Sequence, residues 1–149
     1  MISKILVPTD GSKPARKSVE YAVQLAKQAG ATITLLTVID KGFLITQSIP
    51  AIATPIHIRE PIEDYLRQVA ESHMKDAEKL CRKEGVQSER IIRSGHPVEE
   101  IIRESKRSKV DLIVIGSHGR SALKAAVLGS VTFGVISKET KIPVLVVRK

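Results

Sequence analysis

Short apolar runs and stretches of helical periodicity alternate along all 149 residues, and that alternation constrains the fold more than any single residue does. Lys4 to Pro8 predicts a buried strand. Asp10-Gly11-Ser12 follows as a turn, with Ser12 as a helix N-cap and Pro14 just inside. Ala15, Val19, Ala22, Val23 and Ala26 then recur at three- and four-residue steps, and Gly30 is placed to end that helix. Thr32 to Ile39 is β-branched and predicts a second strand. Pro61 opens a long helix with Ile62, Leu66, Val69, His73, Ala77, Leu80 and Cys81 on its apolar face, ended by Gly85. Val86 to Arg93 predicts a weaker strand. Gly95-His96-Pro97 leads into a short helix that turns Val98, Ile101 and Ile102 inward. Val110 to Ile115 is the most apolar strand, Val131 to Glu139 a last helix and Pro143 to Val147 a last strand.

Strands that alternate with helices imply an α/β fold, a mostly parallel sheet covered on both faces, and at this length a single domain over 1–149. Ligands bind such sheets beyond the carboxyl ends of the strands, where the strand order reverses. The first strand, ending at Asp10, and the fourth, ending at Gly116, both finish at that rim. As neighbours they would set their two following loops across one crevice. The least regular stretch, residues 41–58, carries Phe43, Leu44 and Ile45 between Pro50 and Pro55 and the strand before it, and reads as a lid or a surface for a partner or ligand.

The rim motifs carry the chemistry. Gly116-Ser117-His118-Gly119 and Gly129-Ser130-Val131-Thr132 combine glycines, which let a backbone pass close to a bulky anion, with hydroxyls and free N–H groups at an expected helix start. Phosphate suits such donors. Residues 117–149 hold 6 Lys and Arg against 1 acidic residue, so most of the net charge of +8 collects here, where it draws in a polyphosphate. With 3% aromatics and no tryptophan there is little for base stacking, which argues against nucleic acid. No stretch reaches a membrane span. The single Cys81 excludes an internal disulfide framework, and with no cleavage site after the first strand the expectation is a cytoplasmic protein.

Other chemistries lack their residues. There is no G-x4-G-K-(S/T) loop, no G-x-G-x-x-G fingerprint, no metal-binding Cys or His spacing and no G-x-S-x-G elbow. Asp10 can accept from an adenine or ribose group, hold a metal through water, or simply begin a turn with Gly11; its rim position favours ligand contact. Ser130 and Thr132 suit phosphate binding and helix capping alike. His118 reads as a general base, a phosphate neighbour or a loop side chain. Arg120 and Lys124 are either phosphate-reaching or solvated. His73 reads as a packed or edge-of-core residue, and His57 and His96 as loop residues.

Three features together resemble the universal stress protein family: the opening Ile5-Leu6-Val7-Pro8-Thr9-Asp10-Gly11-Ser12, the pattern G-x2-G-x9-G-(S/T) met by Gly116, Gly119, Gly129 and Ser130, and the terminal Pro143-Val144-Leu145-Val146-Val147. The resemblance covers essentially the whole chain. It implies a Rossmann-like α/β/α sandwich with a five-stranded sheet in the order 3-2-1-4-5, similar to the adenine nucleotide alpha hydrolase-like fold. It also implies ATP binding, with Mg or Mn as a possible companion, since members that keep this glycine pattern generally bind ATP. By resemblance, Pro8, Thr9 and Asp10 meet the adenosine end with Val38, Ile115 and Gly116, while Gly119, Gly129, Ser130, Val131 and Thr132 hold ribose and phosphates beside His118. A homodimer paired through Val144 to Val147 is implied as well.

The resemblance thus points to a nucleotide-dependent signalling protein without dedicated catalysis. Two rivals differ in class: a slow ATPase or phosphotransferase using His118 and a divalent ion, and a nucleotide-free module whose 41–58 segment binds a partner protein. The Phe133-Gly134 pair departs from the family's expected polar helix and predicts that the last helix is short or bent.

Overall fold

A computed structural model of the chain describes residues 1–40, 56–118, 128–138 and 141–148. Five strands, β1 (Lys4–Pro8), β2 (Thr32–Asp40), β3 (Ser88–Gly95), β4 (Leu112–Gly116) and β5 (Val144–Val147), form one sheet in the order β3-β2-β1-β4-β5. Every pairing is parallel, including the two on either side of β1, where Leu6 stands opposite Thr34 and Ile113. This is the expected order, and it puts the reversal between β1 and β4.

Alternation along the strands divides the core in two. Ile5, Val7, Ile33, Leu35, Leu112 and Val114 point to one face, under α1 (Lys13–Ala29) and α2 (Ile56–Lys83), which contribute Val19, Val23, Met74 and Cys81. Leu6, Leu36, Ile113 and Ile115 point to the other, under α3 (Pro97–Arg107) and α4 (Ser130–Lys138), with Val98, Ile101 and Val135. Each buried Leu, Ile or Val contributes about 1.5–3 kcal/mol. Burial raises the Cys81 thiol above its usual range, against the opposing Ser88 hydrogen bond.

The ends of α1 are as the sequence predicts. The Ser12 hydroxyl accepts the Ala15 N–H at 3.2 Å, and Gly30, left-handed at φ 70°, closes the helix. Helix α2 starts earlier than expected: it begins at Ile56, so residues 56–58 of the expected loop are helical and Pro61 lies inside the helix. A proline removes one bond of the ladder, and burial of the face from Ala70 to Cys81 sustains the element through it. Residues 41–55 lie outside the described residues. Helix α4 is short, nine residues, yet unbroken at Gly134. A Cβ there would stand 2.6 Å from Val98 Cγ2, so the glycine is explained by the close approach of α4 to α3.

Two carboxylates fasten the elements. Glu104, 2% exposed, takes the Ser108 hydroxyl together with Arg93 at 3.2 Å and Arg107 at 3.3 Å. Burial pushes its carboxyl up, but the hydroxyl and the two guanidinium groups outweigh that and hold it below the usual range. Asp111 Oδ2 accepts from Ser3 N at 2.8 Å, Ser3 Oγ at 2.9 Å and Lys4 N at 2.9 Å, which ties the start of β1 to the start of β4 at the end of the sheet away from the rim. Those bonds, the Ser3 N–H foremost, keep the Asp111 carboxyl below its ordinary range.

Candidate functional site

The end of β1 turns sharply. Thr9 N donates to Leu36 O at 2.8 Å and Thr37 Oγ1 donates to Thr9 O at 2.9 Å, which pins the turn to β2. Asp10 Oδ1 then accepts the Ser12 N–H at 2.9 Å, the local bond of an Asx turn. Gly11 has φ +78°, and a Cβ on it would lie 2.2 Å from Nδ1 of His73 on α2. Only glycine meets both demands. The histidine read as packed or at the core's edge is packed, and it lies on the turn itself.

Across from it, β4 runs out through Gly116, where a Cβ would meet the Pro14 carbonyl oxygen at 3.1 Å. Ser117 N donates to Val147 O at 2.9 Å and Ser117 O accepts Gly129 N at 2.8 Å, so the segment is stitched to β5 and to the start of α4. Thr132 Oγ1 donates to Gly116 O at 2.6 Å. This hydroxyl, expected to face phosphate, here closes the junction of β4 with α4. Ser130 at the helix start is exposed. The N–H groups of Ser130, Val131 and Thr132 form the helix's first turn and have no partner within it, because the ladder begins with Phe133 N donating to Gly129 O at 2.9 Å.

Between the two rims lies a cavity of about 300 Å³. Its walls include Pro8 at the end of β1 with Thr9 and Asp10 of the following turn, Val38 from β2, Ile115 and Gly116 from β4 with His118 just beyond, and Gly129 with Ser130, Val131 and Thr132 at the start of α4. Of the expected site residues only Gly119 is missing, and it lies outside the described residues, as do Arg120 and Lys124. His57 lies within α2, and His96 precedes α3 outside the cavity wall.

Sequence reasoning missed several wall residues. Leu66, Val69, Ala70 and His73 of α2 form one side, and Asp40 and Pro97 lie at the ends of β2 and α3. Their common signal was present: each follows a strand's carboxyl end or lies on a helix face turned towards one. The described wall contains the carboxylates of Asp10 and Asp40 but no lysine or arginine. Among the described residues, no group of three or more His, Cys, Asp and Glu is placed to hold a metal ion, and no helix is long and apolar enough to cross a membrane.

A parallel five-stranded sheet reversing at β1/β4, with a cleft there and a glycine-bounded helix start, defines an α/β protein of the doubly wound type. The universal stress protein family model matches residues 1–148, and the chain belongs to that family. It is 36% identical over 149 residues to the universal stress protein YxiE of Bacillus subtilis, covering 99% of this chain and all of that protein. The solved structure of MJ0577, a universal stress protein of Methanocaldococcus jannaschii, superposes with a TM-score of 0.85 at 33% identity, covering 100% of this chain and 97% of that one. A universal stress protein of Archaeoglobus fulgidus, solved in complex with dAMP, shares the fold at 24% identity with a TM-score of 0.67, covering 99% and 100% of the two chains.

Proposed function

We propose that this universal stress protein binds ATP in the β1/β4 cavity and acts in the cytoplasm as a nucleotide-dependent switch in a stress response. The observation that carries this reading is the convergence of the described motif residues on one cleft at the switch point. Solved proteins of the same fold in complex with cAMP and with dAMP support an adenine nucleotide as the ligand class.

The residues fit such a ligand in two zones. Leu36, Val38, Leu66, Val69 and Ile115 offer an apolar slot for the base, beside Pro8 and Thr9, while Asp10 can accept from a ribose hydroxyl or an exocyclic amine. Gly129 and the N–H groups of Ser130, Val131 and Thr132 suit phosphate oxygens at the positive end of α4. Gly119 joins this phosphate set by resemblance. A divalent ion, Mg or Mn, would neutralise the phosphates. With two carboxylates in the described wall, the phosphate end would depend on helix-end donors and on such an ion.

Strand β5 is the sheet's edge, and its Val144, Leu145 and Val146 are only half-buried, which supports pairing of that edge with a second copy. Sedimentation at micromolar concentration is expected to give twice the 16.3 kDa chain mass, and a single species at the chain mass counts against it. Calorimetric titration tests the main reading. Saturable one-to-one binding of ATP supports it, and no heat at millimolar nucleotide, with or without Mg, removes it.

A further inference from the structure

His118 ends in a nitrogen with nothing to bond. The residue is 5% exposed and lines the cavity, and its Nε2 is the one buried side-chain nitrogen or oxygen without a hydrogen-bond partner among the described residues. Such a group in a native protein calls for a reason, because an unpaired buried donor or acceptor costs free energy.

The other ring nitrogen decides what Nε2 is. Nδ1 lies 2.7 Å from Ser117 Oγ. Ser117 is buried, and its hydroxyl has no other side-chain or backbone acceptor among the described residues. If Nδ1 carried the proton, the serine hydroxyl would lack an acceptor and Nε2 would be an unpaired lone pair, which makes two orphans. If the hydroxyl donates to Nδ1, one orphan remains, an Nε2–H. Among the described residues the hydrogen-bond count therefore favours the Nε2–H tautomer.

Its position selects the acceptor. The bonds from Gly129 N to Ser117 O and from Thr132 Oγ1 to Gly116 O draw the Ser117-His118 segment against the first turn of α4. That nine-residue helix starts at Ser130 with its first N–H groups unpaired along the helix, and Ser130 lines the same cavity. A buried donor and a helix N-terminus lining the same cavity favour a single ligand chemistry, an anionic oxygen.

We propose that His118 Nε2–H is a hydrogen-bond donor to a phosphoryl oxygen of the bound nucleotide, with Ser117 as the positioning residue that fixes the tautomer. This rests on the nucleotide reading above and deepens it. It also gives the histidine a role in recognition instead of base catalysis: the protonated Nε2 has no lone pair to accept a proton from water, and the Nδ1 lone pair is taken by the serine. Nε2 is shielded in the unliganded chain, so a small shift of the ring or its surroundings accompanies the bond, which then lies in a low-dielectric surrounding.

The test compares ATP with adenosine by calorimetry at pH 8, where a free imidazole is neutral. His118→Leu is expected to weaken ATP about tenfold, the size of one hydrogen bond to a charged acceptor, and to leave adenosine within about twofold. His118→Gln, which keeps an N–H₂ donor at similar reach, is expected to recover most of the loss. Ser117→Ala is expected to weaken ATP about threefold, with two-bond ¹⁵N–¹H spectra showing His118 passing from the Nε2–H form to a mixture. Equal losses for ATP and adenosine, or an Nδ1–H tautomer in the parent protein, overturn the proposal. If the parent protein binds neither ligand, the nucleotide reading fails by itself. Titration with inorganic tripolyphosphate then decides the rest: movement of the His118 Nε2 signal keeps the anion donor, and an unmoved signal overturns it.

Discussion

The two loops that face each other across the cavity solve the same problem in opposite ways. The turn after β1 satisfies itself. Asp10 accepts from Ser12, Ser12 caps α1, Thr37 holds the Thr9 carbonyl and His73 packs against Gly11. The segment after β4 is anchored through its carbonyls, at Gly116 and Ser117, yet among the described residues leaves donors over: the first N–H groups of α4 and the Nε2 of His118. A turn closed on itself is scaffold. A segment with donors left over is one that an acceptor completes. Stability and ligand affinity should therefore separate between the two loops, and substitutions can break or sharpen that division.

The largest effect is expected at Gly11. Gly11→Ala combines a left-handed backbone with a Cβ inside the His73 ring, and should lower stability by about 2–4 kcal/mol in urea denaturation. His73→Ala in the same chain should recover the steric part. If Gly11→Ala is as stable as the parent, the first turn is not the rigid scaffold described. Next is Gly134→Ala, which behind the second loop drives a Cβ towards Val98. Overpacking set against the gain in helix propensity leaves a loss of about 1–2 kcal/mol, relieved by Val98→Ala.

Two serines then give the direct contrast. Ser12→Ala should cost about 1 kcal/mol of stability through its lost cap and leave ATP affinity within about twofold. Ser130→Ala should leave the melting temperature within about 2 °C and weaken ATP about threefold, the effect of one modest donor lost. The reverse pattern would dissolve the distinction between the loops.

The smallest effect is silent at neutral pH. Glu104 and Asp111 have carboxyls held below their ordinary values, so each stabilises the fold above the unfolded-state range near about 4, and that contribution is lost as pH falls through the lower folded-state values. Melting temperature should be flat above about pH 5 and fall below about pH 4, with a shallower fall in Glu104→Gln. A slope unchanged in Glu104→Gln would mean that this carboxylate takes no part in acid unfolding.

Much of this was legible because it is local. Apolar runs, caps and three- and four-residue steps mark β1, α1 and β2 almost to the residue, since Ser12 and Gly30 act on their own neighbours. The wall residues at strand ends were legible for the same reason, given parallel topology. What was hidden depends on contacts between distant elements. Nothing near residue 73 announces a ring against Gly11, and nothing near Gly134 announces Val98. The start of α2 at Ile56 was misread because Pro61 carries a strong local signal that tertiary burial further along the helix overrides. The Thr132 hydroxyl was read as suited to phosphate or to capping, and its bond to the Gly116 carbonyl was hidden, because these partners look alike in one dimension.

Because every strand runs the same way, the chain's first and last strands deliver attachments to opposite poles. Asp111 clamps Ser3 and Lys4 at the floor, while β5 climbs to the mouth, where Val147 is one hydrogen bond from Ser117. A probe or surface tether placed ahead of Met1 would leave the mouth clear. The same group added after the last strand would stand beside the glycine-rich lip and report on, or obstruct, whatever enters.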